Sequence, residues 1–361
     1  MKNKFYAALT VFAFALNAFG TTLTDTKTIK KAGQTNALAA LLPASDGVLT
    51  IDMQRILSEA VPQILSGKPQ TLTEINAKID EVREKSGLDL RQFEQVAVGV
   101  SMQQISAREA DLEPLVLARG KYNANALIAL AKLAAKGKYR EEKVGARMVY
   151  IFSGNEITQQ PNTVTSIPTF TQYDVSQTKK SWFDKAFDRM INGLMKEIAV
   201  TSYDGNTLVF GSLARVRETI ESKTRINPEL LNLTNRKPNA VAAFGANLPS
   251  GLSGFINLDN DEFGKTLDSI RQVSGAMELI GGNTAVSMAA KAATIEQARS
   301  LQETVEGLQI LGKGFLGGSK SADKQVYARM IENAKITRTI SEVSLDLQVP
   351  QTDINILLGA K

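Results

Sequence analysis

The chain has 361 residues, with 42 Lys and Arg against 37 Asp and Glu for a formal net charge of +5, and it contains neither histidine nor cysteine. Those absences exclude serine–histidine and cysteine–histidine catalysis, histidine-based zinc sites and every disulfide, so an exported fold of this chain has to rest on its apolar core alone. The charges are interspersed, with no basic block longer than Lys30-Lys31 or Lys179-Lys180, whereas nucleic-acid binding needs a concentrated basic surface.

Lys2 and Lys4 precede the apolar run Phe5–Leu16 and then Ala18-Phe19-Gly20. A short basic region, a hydrophobic region and small residues before a cut predict a secretory signal peptide over 1–20, with the mature chain starting near Thr21. The apolar run is shorter than the roughly 20 residues a spanning helix needs. No later segment is long and apolar enough either, and no cysteine follows that could carry a lipid. The expectation is an exported protein, periplasmic or extracellular, without a transmembrane segment after cleavage.

Residues 21–45 begin with a polar stretch, Thr21 to Gln34, and read as a flexible lead. A first α+β half is expected over 46–226. Ala44-Ser45-Asp46-Gly47 is a turn into a strand at Val48–Asp52, and a helix follows from Met53 to Leu65, with Pro62 placed to kink it. A second helix, Leu72 to Lys85, stops at Gly87. Glu94–Met102 and Leu115–Tyr122 are strands, and Asn123 caps an alanine-rich helix over Ala124–Lys136. A hairpin around Gly145 ends in Met148–Phe152. Composition then shifts: residues 153–180 are rich in Thr, Gln and Ser and carry two prolines, the pattern of an inserted polar loop. Its Phe170 and Tyr173 are aromatic groups in a polar setting, which makes this a candidate partner loop, the alternative being a neutral insertion or spacer. Phe183, Phe187, Met190, Ile191 and Leu194 then mark one apolar helix face.

Glu197 to Ser222 reads as strand, tight turn, strand and helix. Asp204-Gly205-Asn206 is expected to supply the positive φ of a hairpin turn, and Ser212 caps a helix with Leu213, Val216 and Ile220 inward. Asn227 to Pro238 is a polar connector. The second half, 239–358, repeats the order: a strand at Ala240–Phe244, a helix near Asp261–Val273, and a hairpin of Ala276–Ile280 and Ala285–Ala292 around Gly281-Gly282-Asn283. A long helix runs from Ile295 to Leu311, a glycine-rich loop follows, and another helix spans Asp323–Asn333. Lys335–Thr339, Glu342–Val349 and a helical Asp353–Leu358 close it. The fold class is therefore α+β, with two similar halves, each a mainly antiparallel sheet with helices packed against it.

The run Tyr203-Asp204-Gly205-Asn206-Thr207-Leu208-Val209-Phe210-Gly211-Ser212 and the late Leu347-Gln348-Val349-Pro350 give the chain a layout that resembles an uncharacterised family of exported bacterial proteins, known only as a domain of unknown function. The resemblance implies an extracytoplasmic α+β fold and carries over neither chemistry nor functional residues.

Gly312-Lys313-Gly314-Phe315-Leu316-Gly317 has the spacing of a dinucleotide fingerprint, but it follows a helix instead of a strand and runs into a loop, so it reads as a flexible loop ending that helix. Ser-x-x-Lys occurs at Ser176/Lys179 and at Ser321/Lys324, without the Lys-Thr-Gly that its catalytic use requires. Asn257, Asp259, Asp261 and Asp268 are the candidate metal ligands, because oxygens at alternate positions can surround calcium. Glu262 stands where such a loop needs glycine, and acidic residues also suit a helix start, which is the preferred reading. No cofactor is expected. The pattern fits a non-enzymatic protein binding or scaffolding a partner protein or envelope component. Its alternatives are a hydrolase working through paired carboxylates, which need no histidine, and a carrier of an apolar ligand.

Overall fold

The computed structural model describes residues 37–106, 109–153, 197–251, 253 and 262–359. The signal peptide, the polar loop beyond Ser153 with Phe170 and Tyr173, the helix face Phe183–Leu194, and Asn257, Asp259 and Asp261 lie outside the described residues.

Stretches that alternate or run on in apolar residues assemble into a single sheet of twelve strands. One side holds β1 (Gly47–Asp52), β2 (Phe93–Ser106), β3 (Glu109–Gly120), β4 (Tyr139–Val144), β5 (Arg147–Ser153), β6 (Glu197–Asp204) and β7 (Thr207–Gly211). The other holds β8 (Ala242–Asn247), β9 (Ile270–Ile280), β10 (Asn283–Ala292), β11 (Lys335–Thr339) and β12 (Glu342–Val349). Every pairing is antiparallel. β1 pairs with β8, Thr50 opposite Ala243, so the two sides share one sheet where a sheet in each was expected. Outward from that pair the order is β1-β2-β3-β7-β6 in one direction, continuing to β5-β4, and β8-β9-β10-β12-β11 in the other.

The helices divide between the two faces. On the front face, α4 (Leu213–Glu221), α5 (Pro228–Thr234) and residues 37–42 cover Val48, Ala97, Leu115, Leu117, Ile151, Ala199 and Val209. Fully burying one Leu or Val side chain is worth roughly 1.5–3 kcal/mol, so this cluster is a main source of stability. On the back face a helical run α1 covers Ile51 and Val96. It consists of α-helical Met53–Arg55, π-helical Ile56–Ala60 and α-helical Val61–Ile64. Directly ahead of Pro62 the run takes a π turn, where the Val61 N–H reaches back to the Ile56 carbonyl. α2 (Pro69–Ser86) ends at Gly87 with φ 71°, and α3 (Ala124–Ala134) covers Val200 and Leu208. Farther along the back face α6 (Glu262–Asp268), α7 (Ile295–Gly317), α8 (Ala322–Asn333) and α9 (Gln351–Leu357) cover Ile270, Val343, Leu347 and Val349. The helices that close the two sides thus lie on opposite faces, α4 in front and α9 behind.

Several local expectations are corrected. Leu38, Ala39 and Leu42 are fully buried, so the lead joins the core from residue 37 onward. The connector 227–238 contains α5, whose Asn227 side chain accepts the Glu229 N–H at 2.8 Å and whose Leu230 is fully buried. The hairpin at Gly205 is closed by the Asp204 carboxylate, which accepts the Asn206 N–H at 3.0 Å, and neither Gly205 nor Asn206 has a positive φ. The helix near 261–273 is cut short by β9, which starts at Ile270. α7 continues through its glycines to Gly317, because Gly312 is buried and packing overrides its poor propensity.

Candidate functional site

The residue pattern of β10 and β12 leaves part of the front face only partly covered. Along β12, Val343, Leu345, Leu347 and Val349 alternate with Glu342, Ser344, Asp346 and Gln348. Along β10, Val286 and Met288 alternate with Ala285, Ser287 and Ala289. A side-chain period of two sends the second set of each strand to the front. Register then lines up Ser274, Ala289, Ser344 and Thr337 across four strands, with Ala276, Ser287, Asp346 and Lys335 in the adjacent row. Thr337 and Ser344 hydroxyls meet at 3.2 Å. Among the described residues no apolar cluster is built on this floor of alanine, serine and threonine.

Charged pairs border it. Arg236 meets Glu342 at 2.8 Å, Lys237 meets Asp346 at 3.4 Å, and Lys291 meets Glu229 at 3.2 Å. The Arg236 guanidinium also donates to Ser274 Oγ at 3.4 Å. Lys291 and Asp346 keep 44 % and 46 % of their side chains exposed, so both signs of charge are presented to solvent. The Lys291 ammonium and the Gln272 amide hold the Glu229 carboxyl below the usual carboxylate range. Small-residue floor and mixed charged rim together suit a polar contact.

A second constellation lies at the other end of the sheet. The Lys132 ammonium on α3 sits 4.6 Å from the Tyr150 ring centre and 5.1 Å from that of Tyr139, and 3.0 Å from a Glu141 oxygen. Hydrogen bonds to Glu141 and then Tyr139 raise its pKa, so it remains a cation and cannot serve as a nucleophile near neutrality. Beside it Ala129, Lys132, Leu133, Lys136, Gly137 and Tyr139 line an open depression of about 510 Å³.

Of the calcium candidates, Asp268 alone is among the described residues. Its two carboxylate oxygens accept bonds from the Ser253 N–H at 2.7 Å and the Ser253 hydroxyl at 2.6 Å, which ties that residue to the end of α6. Ser321 donates its hydroxyl to Asp323 at the start of α8, so the Ser321/Lys324 pair has its serine engaged elsewhere. Ser176, Lys179, Phe170 and Tyr173 lie outside the described residues. The glycine fingerprint sits within α7. A general acid needs a carboxyl held above its ordinary range, and Asp80, Glu142, Glu229, Glu296 and Asp323 are all held below it. No described group of three or more Asp or Glu side chains converges as a metal site would require.

The open front face was missed at the level of residues, although its signal is written in the alternation of β10 and β12. Among the described residues no helix is long and apolar enough to cross a membrane. No family model matches the chain, and no curated protein matches it. Among solved structures, crystal forms III, IV and I of TP0453 give TM-scores of 0.41, 0.40 and 0.38. Their identities are 7 %, 8 % and 9 %, over 92 %, 90 % and 90 % of this chain and 99 %, 96 % and 96 % of theirs. At those values the likeness carries no argument about fold or function.

Proposed function

We propose that this is an exported, non-enzymatic protein that binds or scaffolds a macromolecular partner at the cell envelope or outside it, and that the open front face is the contact surface. The observation that supports the reading is the floor of Ala276, Ser287, Ala289 and Ser344, each only partly covered, bordered by Lys291, Asp346, Arg236 and Glu342. Large apolar residues are absent from that floor, so it can remain wet until a partner arrives, and its mixed charges favour a partner of matching pattern. The leader-like N-terminus supports the location.

A photoreactive residue at Ser287 should give a discrete adduct in envelope fractions of the producing cell, and Ala289→Arg should abolish it while leaving the melting temperature unchanged. The same probe at Lys143, on the outermost strand, serves as the control. Equal adducts at both positions, or none at Ser287, would end this reading.

A further inference from the structure

The solvent side of α7 changes character halfway along. In its first half the exposed positions are Ile295, Glu296, Arg299, Ser300 and Glu303; in its second half they are Leu308, Ile310, Leu311, Lys313, Gly314, Phe315 and Gly317. Ile310, Leu311 and Phe315 are 72 %, 68 % and 71 % exposed, a large solvent cost for neighbouring residues on one element. At 3.6 residues per turn Leu308, Leu311 and Phe315 form a ridge, and Gly307, Gly314 and Gly318 form a hollow beside it. A Cβ built on any of those three glycines meets nothing within 4 Å, so nothing in the single chain requires them to be bare. Glycine inside a helix is destabilising, and Gly307 and Gly314 are both inside this one.

We propose that this half of α7 docks on the same half of a second copy, the two helices running antiparallel about a two-fold axis near Leu311. In that register Phe315 of each copy falls opposite Gly307 of the other, and Leu308 opposite Gly314, so each ridge enters the facing hollow. A surface of this kind complements itself, as a two-fold contact demands. Charge agrees with the direction. Glu296, Glu303 and Glu306 outnumber Arg299 in the first stretch, while Lys320 stands just past the helix end; Lys313 pairs with Glu332 and Lys324 belongs to α8. Antiparallel packing lays the acidic stretch of one copy beside Lys320 of the other, close to Glu303, and it opposes the two helix dipoles. A single-helix patch is smaller than the roughly 800 Å² per partner of a standard interface, so the dimer is expected to be weak and concentration-dependent.

Sedimentation equilibrium of the full chain from micromolar to about 1 mM should show reversible dimerisation. Phe315→Ser should weaken it at least tenfold, with far-UV dichroism and melting at low concentration unchanged because Phe315 is exposed. Lys320→Glu should also weaken it, and adding Glu303→Lys to that variant should restore it. Because the chain has no cysteine, Leu311→Cys under mild oxidation reports the axis directly, and it should cross-link far faster than Ser300→Cys. A chain that stays monomeric throughout, or Leu311→Cys cross-linking no faster than Ser300→Cys, would overturn the proposal. So would a monomer that instead binds anionic lipid vesicles through Phe315, which would assign the arc to a lipid surface.

Discussion

One row of residues crosses eleven strands of the front face and changes character on the way. From β5 it runs Ile151, Ala199, Gly211, Leu115, Gly99 and Val48; past the central pair it continues Gly245, Ser274, Ala289, Ser344 and Thr337. The first part lies beneath α4, α5 and residues 37–42, and the far end, at Ala289, Ser344 and Thr337, is polar and only partly shielded. The backbone is equivalent throughout, so the difference lies in the side chains. Covering helices dock where large apolar groups repay the entropy of ordering them, and the small polar residues of β10 and β12 offer too little area. The covered end thereby holds most of the apolar core, and the proposed contact surface lies at the other end of the same sheet.

The comparison breaks most sharply in the covered part. Leu117 is fully buried, and Leu117→Ala should cost about 2–5 kcal/mol in chemical denaturation, from lost transfer energy and the cavity left behind. A cost under about 1 kcal/mol would show that the cover is loosely applied. Gly245 tests the seam between the two regions. A Cβ there would lie 2.7 Å from that of Leu233 on α5, so Gly245→Ala should cost about 1–3 kcal/mol by pushing α5 off the sheet. Third comes Ala289→Arg on the open floor, which should change stability by less than about 0.5 kcal/mol, as expected of a surface position. A large loss there would mean that something packs on the floor after all.

Much of this contrast is legible in the order of residues alone. Pro114-Leu115-Val116-Leu117-Ala118 is continuously apolar, as a strand covered on both faces must be, whereas Glu342–Val349 alternates strictly, as a strand with one wet face does. Gly281-Gly282 announces its hairpin, and both residues take positive φ, 57° and 81°. The union of the halves through β1 and β8 is not legible, because Gly47–Asp52 and Ala242–Asn247 carry nothing that names so distant a partner, and register is set by the whole sheet. α5 was missed because its polar flanks outweighed Asn227-Pro228, a good cap followed by a good first residue. The turn at Ile340 could not be foreseen either: φ is 53° at a β-branched residue, a conformation imposed by the strands on either side. As for the open face, its alternation was visible, but which face the helices would leave bare depends on where α9 goes.

The smallest effect separates the two regions by charge. Glu142 on β4 receives two bonds from Arg217 on the covering helix α4, at 2.7 and 2.6 Å, while Glu229 on α5 meets Lys291 at the rim of the open floor at 3.2 Å. Hydrogen bonding by those cations holds both carboxyls below their ordinary range. A carboxyl with a depressed folded pKa stabilises the fold above its unfolded pKa of about 4.3, and that contribution fades as pH falls through the folded value. Glu142→Gln should therefore lower the melting temperature slightly at pH 7 and leave it equal to the parent in acid below both values. Glu229→Gln should follow the same pH course with a smaller shift, because one flexible ammonium holds less geometry than a two-bond guanidinium fork. With no histidine or cysteine to titrate, neither difference should change appreciably between about pH 6 and pH 8. Melting curves of parent and both variants across that range and down into acid check all three statements. A larger shift for Glu229→Gln would mean that the rim pair anchors α5 more firmly than its apolar contacts do, and the open floor would then carry part of the structural duty of the covered end.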